Sequence, residues 1–120
     1  MKIVIPYKPR ALQKQVHDNL RRFNVLVCHR RFGKTVLCIN EMIKKCLQNT
    51  LARPRYYYIS PTYAMSKRAA WDYLKEYTEV IPDMSFHETE LRADFPTGGR
   101  IQLLGCERPD SLRGLYIDGV

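Results

Sequence analysis

Cys28-His29-Arg30-Arg31-Phe32-Gly33-Lys34-Thr35 closes a short apolar run, Asn24-Val25-Leu26-Val27, and opens a stretch of helical period. It matches the phosphate-binding pattern G-x-x-x-x-G-K-[ST] at every fixed position except the first, where Cys28 stands in place of glycine. A loop between a strand and a helix aims backbone N–H groups at a phosphate, and the helix N-terminus adds partial positive charge. In such a loop Lys34 reaches the β- and γ-phosphates, and the Thr35 hydroxyl joins the shell of a Mg²⁺ ion. The plainer reading is a Gly-Lys-Thr helix start with Gly33 as its cap. The coincidence of strand, loop length and helix favours the phosphate loop over it. Cys28 is small, and the first loop position accepts it if φ there is negative. Arg30 and Arg31 are unusual inside such a loop. They add fixed charge beside phosphates, where Arg forms bidentate contacts, although Arg31 facing solvent is an equal alternative.

Outward from the loop, residues 9–23 carry Leu12, Val16, Leu20 and Phe23 on one helical stripe, with Pro9 suited to the first turn. Val25 to Cys28 reads as a short buried strand. Lys34 to about Gln48 reads as a helix with Val36, Ile39, Ile43 and Leu47 inward and Asn40, Glu41, Lys44 and Lys45 outward. Arg55-Tyr56-Tyr57-Tyr58-Ile59 is rich in β-formers and predicts a second strand. Ser60-Pro61-Thr62 turns it into a helix over residues 63–78, whose Trp71, Leu74 and Tyr77 pack on the sheet. Leu91, Ala93 and Phe95 alternate with polar residues, Pro96-Thr97-Gly98-Gly99 turns, and Arg100 to Leu104 returns, which predicts a hairpin. Asp110 or Ser111 caps a short helical turn. The expected layout is α/β, a parallel central sheet with the hairpin as an insertion.

With 120 residues, the chain makes one modest domain or part of a larger one. Hydrophobic residues at 45% exclude a disordered chain. No apolar run reaches membrane-spanning length, and the N-terminus is too short for a signal peptide, so a cytoplasmic setting without membrane attachment is expected. Twenty Lys and Arg against 12 Asp and Glu give a formal charge of +8, which favours polyanionic partners. Cys28, Cys38, Cys46 and Cys106 have no zinc-ligand spacing and read as reduced thiols, with Cys38 and Cys46 as small core residues.

Four segments together resemble the N-terminal ATPase domain of the large terminase subunit of tailed bacteriophages. They are Pro9-Arg10-Ala11-Leu12-Gln13, similar to an adenine-recognising glutamine motif, and the arginine-bearing loop Arg30 to Thr35. Tyr58-Ile59-Ser60-Pro61-Thr62-Tyr63 with Trp71-Asp72, and Ser111-Leu112-Arg113-Gly114, complete the set. The likeness spans nearly the whole chain and implies a P-loop NTPase fold. It implies ATP and Mg²⁺ as cofactors, with Cys28, His29, Arg30, Arg31, Phe32, Gly33, Lys34 and Thr35 around the phosphates. Lys34, Arg30 and Arg31 take the catalytic roles and Thr35 meets the metal through the nucleotide.

Gln13 reads adenine in this picture. A glutamine amide has the acceptor and donors to pair with N6 and N7, provided its helix packs beside the loop. The implied partners are double-stranded DNA, a small terminase subunit, a portal, and further copies in a homo-oligomeric ring.

ATP hydrolysis needs an Asp at a strand tip and a carboxylate to activate water. Asp118 is followed by Gly119 and reads as a turn residue, with a degenerate metal-binding Asp as the alternative. Residues 1–120 are then expected to form an incomplete domain ending just before the Walker B strand, with the nuclease domain absent. Arg113 is either a γ-phosphate sensor or one half of a salt bridge. Two other functions compete: a fragment of a second-superfamily helicase, and a non-catalytic nucleotide-binding prophage remnant.

Overall fold

Three tyrosines and an isoleucine in a row make β1 (Arg55–Ser60), and in the computed structural model it is the strand on which everything else is hung. The structure describes residues 5–28, 32–48 and 53–120. Around β1 lie α1 (Ala11–Asp18), α2 (Lys34–Gln48), α3 (Tyr63–Ser66), a π-helical stretch (Lys67–Trp71) and α4 (Asp72–Thr78). Then come β2 (Ser85–His87), β3 (Arg92–Asp94), β4 (Arg100–Gly105) and a 3-10 turn (Pro109–Leu112).

The sheet is mixed, in the order β1-β4-β3-β2, which corrects the expectation of a parallel one. Only β1 and β4 are parallel, with Arg55 opposite Arg100 and Ser60 opposite Gly105; the β3–β4 and β2–β3 pairs are antiparallel. The predicted hairpin is present as β3 and β4, yet it is no insertion. Its second strand is the parallel partner of β1, reached by the crossover through α3 and α4. The register puts Tyr56, Tyr58, Ile101, Leu103 and Ala93 on one face. There they meet Ile39, Ile43, Trp71 and Leu74 from the helices.

Residues 63–78 are helical as expected, but with a π stretch in the middle that a 3.6-residue period does not reveal. Ala70 and Trp71 in it are buried, and the Trp71 indole donates to Glu88 Oε2 at 2.6 Å. Thr62 ends the strand connection as an N-cap, its Oγ1 accepting from Met65 N at 3.1 Å.

α2 matches its predicted span, with two departures on its polar side. Asn40 is buried, and Glu41 is paired rather than solvated. Its last turn sits against the start of β1: a Cβ on Gly99 would collide with Cys46 Sγ and lie 3.2 Å from Pro54 Cγ. α2 spans about 22 Å and β1 about 20 Å. The first turn of α2 therefore lies toward the end of the sheet that holds Ser60 and Gly105.

The N-terminal third departs most. α1 stops at Asp18, well short of Phe23, and residues 24–28 form no strand. Val25 and Val27 are 90% and 94% exposed where a buried strand was expected.

Burial also sets the chemistry of Cys46, in the last turn of α2. Desolvation pushes its thiol from 9.0 up to about 12, against a smaller opposing effect of Arg55. Cys38 is only half-buried, and burial raises its thiol too. The unfolded chain releases the Cys46 proton above about pH 9, whereas the folded chain keeps it until about 12. This group's stabilisation is therefore complete below pH 9 and is lost as pH rises through that window, by at most about 1.4 kcal/mol per pH unit. Urea melts at pH 8 and 10.5 are expected to show a smaller drop for Cys46→Ala than for the parent chain.

Candidate functional site

α2 opens at Lys34, and the residue before it makes the turn. Gly33 has φ +88, a left-handed conformation that glycine adopts without a Cβ penalty. Its carbonyl accepts from Leu37 N at 2.9 Å, the first bond of the helix. Phe32 is buried behind it. Lys34 is exposed and extends its Nζ back to the Cys28 carbonyl, 3.0 Å away, closing the loop across six residues. Lys34 forms no ion pair among the described residues, so its charge is not cancelled locally. Thr35 follows in the first turn, half-buried. His29, Arg30 and Arg31 lie outside the described residues.

α1 packs on α2 and holds the loop from the side. Gln13, 5% exposed, donates from Nε2 to the Gly33 carbonyl at 3.1 Å and to the Phe32 carbonyl at 3.4 Å. Its Oε1 accepts from Arg10 N at 2.9 Å, and the Arg10 guanidinium also donates to the Phe32 carbonyl. Gln13 is thus beside the phosphate-loop candidate, as its proposed role requires. Its amide is already spent on the protein, and reading a base would require it to exchange these bonds.

One cluster escaped the sequence. His17 bridges Tyr7 and Glu41, with Nε2 2.9 Å from Tyr7 Oη and Nδ1 2.6 Å from Glu41 Oε2. A carboxylate only accepts, so Nδ1 carries the hydrogen, while Nε2 is the ring atom that meets the Tyr7 hydroxyl. Burial raises the pKa of Tyr7, with Tyr77 and Glu41 adding to it. The pair is only 11% and 14% exposed and clasps α1 to α2, four residues from Gln13. The histidine and glutamate are 24 residues apart, so no local spacing signals them. Removing the ring with His17→Ala takes the partner from the Tyr7 hydroxyl and from Glu41 Oε2, leaving Glu41 only its long contact to Lys45, and is expected to cost about 1–3 kcal/mol. Lys14→Ala, which breaks the exposed Lys14–Asp18 pair, is expected to cost less than about 0.5 kcal/mol in the same urea titration.

The remaining sequence candidates have partners of their own. The Thr62 segment is a helix cap. Arg113 Nε lies 3.3 Å from Asp110 Oδ1, both largely in solvent. Asp118 accepts from Arg55 N at 2.8 Å through Oδ2, and Gly119 bridges Tyr56 in parallel. That is the start of β1, the opposite end of the sheet from the first turn of α2. Asp118 is therefore a positioning group for the C-terminal segment and not a carboxylate facing Lys34.

The loop fits an anion: a long helix begins there, its lysine is free of acidic partners, and a glycine turns the backbone. Among the described residues no group of three His, Cys, Asp or Glu could hold a metal ion. A Mg²⁺ ion would accordingly be held through the phosphates and the Thr35 hydroxyl. No helix among the described residues is long and apolar enough to cross a membrane. No family model, curated protein or solved structure matches the chain.

Proposed function

We propose that the chain is the ATP-binding part of a viral DNA-packaging motor, the N-terminal portion of a terminase large subunit with a P-loop NTPase fold. The observation that carries this reading is the Gln13 lock. The residue that the resemblance places next to the nucleotide is hydrogen-bonded to both carbonyls that lead into Lys34. Two motifs 20 residues apart are joined at the point where phosphate binding needs a fixed backbone.

In this reading Lys34 neutralises the β- and γ-phosphates, and Thr35 contributes a hydroxyl to the Mg²⁺ shell. Arg30 and Arg31 add charge at the γ-phosphate, and Gln13 with Arg10 keeps the loop in register. Bound MgATP supplies the phosphoanhydride whose cleavage drives translocation of double-stranded DNA in the assembled motor. A homo-oligomeric ring on a portal, fed by a small terminase subunit in the host cytoplasm, is the assembly this implies.

One observation favours a narrower activity for these 120 residues. Asp118 is bonded to the start of β1, and among the described residues no carboxylate is paired with Lys34. We expect binding without turnover, as in the nucleotide-binding remnant. Calorimetric titration with MgATP, run beside a phosphate-release assay, tests both points. Saturable binding with no phosphate release is the expected result; no heat at millimolar MgATP overturns the reading.

A further inference from the structure

The whole charge excess of this protein sits at one end. Residues 1–34 hold nine Lys and Arg against Asp18 alone, and residues 35–120 hold eleven of each sign. The same stretch of sequence carries exposed apolar side chains. α1 is two-sided: Gln13 and His17 face α2, whereas Leu12 and Val16 turn toward a groove of about 520 Å³. Leu20, Phe23, Val25, Leu26 and Phe32 of the loop complete its apolar lining. The stripe that the sequence marks as a core face is thus open to solvent, with Leu12 at 55% and Phe23 at 85% exposed. Each such side chain forfeits about 1.5–3 kcal/mol relative to burial.

The backbone beside the groove is also unused. Among the described residues, Val25, Leu26 and Val27 take part in no backbone–backbone hydrogen bond. They are β-formers in an irregular segment, and Val25 and Val27 both project into solvent. Arg21 and Arg22 flank this segment, the Arg22 guanidinium lying 5.4 Å above the Phe23 ring. Lys14 adds a third basic side chain nearby on α1, partly offset by Asp18.

We propose that residues 20–27 and the outer face of α1 form a docking surface for an extended, apolar segment with acidic flanks, supplied by a different protein. The occupant pairs its main chain with Val25–Val27, places alternate side chains in the groove, and sets its carboxylates against Arg21 and Arg22. Charge complementarity selects the source. A second copy meeting the groove with the same face would bring the same basic surface and be repelled. Nucleic acid would satisfy the arginines and leave Leu12, Val16 and Leu20 without an apolar partner, since their groove carries no charged lining residue. The groove adjoins the phosphate loop through Phe32, so its test is run without nucleotide and its failure leaves the MgATP titration untouched.

Fluorescence anisotropy on the full chain, without nucleotide, tests this. The probe is a labelled peptide of about twelve residues alternating Val and Ile with Asp and Glu; its counterpart carries Lys at every acidic position. The acidic peptide is expected to bind at least tenfold more tightly than the basic one. Its affinity is expected to fall as salt rises and to drop at least tenfold in Phe23→Ser and in Val25→Asp. Both positions are exposed, so the variants should retain the parent circular dichroism; a variant that does not is replaced by Val27→Asp. Equal binding of the two peptides, or an affinity unchanged by the substitutions, overturns the proposal. So does displacement of the acidic peptide by an oligothymidine, which marks a nucleic-acid surface. A concentration-dependent doubling of mass by sedimentation that Phe23→Ser and Val25→Asp abolish also overturns it and assigns the groove to a second copy.

Discussion

Lys34→Ala is expected to abolish MgATP binding, weakening it by at least about 100-fold, or about 2.7 kcal/mol. The ammonium is exposed and has no acidic partner among the described residues, and it donates to the Cys28 carbonyl at 3.0 Å. Little of the fold rests on it, so the variant should melt within about 0.5 kcal/mol of the parent chain. Hydrogen bonds between a cation and phosphate oxygens contribute about 1.5–3 kcal/mol each, and two phosphates are within the reach assigned to this side chain. A matched control separates a specific site from general attraction by a basic protein. Lys44→Ala removes the same charge from the far, exposed end of α2 and should leave affinity within twofold. If Lys34→Ala binds MgATP as the parent does, the phosphate-loop reading is removed. If both variants weaken equally, the nucleotide is held by net charge alone.

The elements that the sequence made legible are those set by local pattern. α2 shows a clear 3.6-residue period, β1 is a run of β-formers, and Pro96 to Gly99 can only turn the chain between alternating strands. Other features depend on who sits beside whom. Whether β4 lies next to β1 as well as β3 is a question of topology, invisible in a hairpin's own residues. Val25 to Cys28 has the composition of a buried strand, but burial needs a neighbouring strand, and the described residues provide none. The stripe from Leu12 to Phe23 fixed which side of α1 is apolar without fixing where that side points. The site divides along the same line. Gly33, Lys34 and Thr35 follow a contiguous template, and the structure puts them at a helix start. The attachment of α1 by Gln13 and His17 is long-range. Its only local trace is a glutamine at the third helical position, where it accepts from the Arg10 N–H.

Gly33→Ala is expected to unlock that attachment and to destabilise the chain by about 2–5 kcal/mol. Two costs add. An alanine held at φ +88 carries a left-handed penalty of about 1–2 kcal/mol. Its Cβ would also overlap Gln13 Nε2, lie 3.0 Å from the Arg10 guanidinium and 3.4 Å from Gln13 Cδ. Those atoms end flexible side chains and can retreat, but only by giving up the bonds to the Phe32 and Gly33 carbonyls. Each lost bond costs about 0.5–1.5 kcal/mol, and Gln13 has little solvent to turn to. Gly114 separates the two costs. It sits at φ +78 with no atom within 4 Å of an added Cβ, so Gly114→Ala should show the backbone penalty alone. The excess of Gly33→Ala over Gly114→Ala in urea titrations then measures the displacement of Gln13. Much of that excess should disappear when Gly33→Ala is made on a Gln13→Ala background, because the clash partner and the bonds are already gone. Equal losses at the two glycines would mean that Gln13 moves aside freely. The lock would then contribute nothing to the loop that carries Lys34, and the case for Gln13 as a partner of the nucleotide site would fall with it.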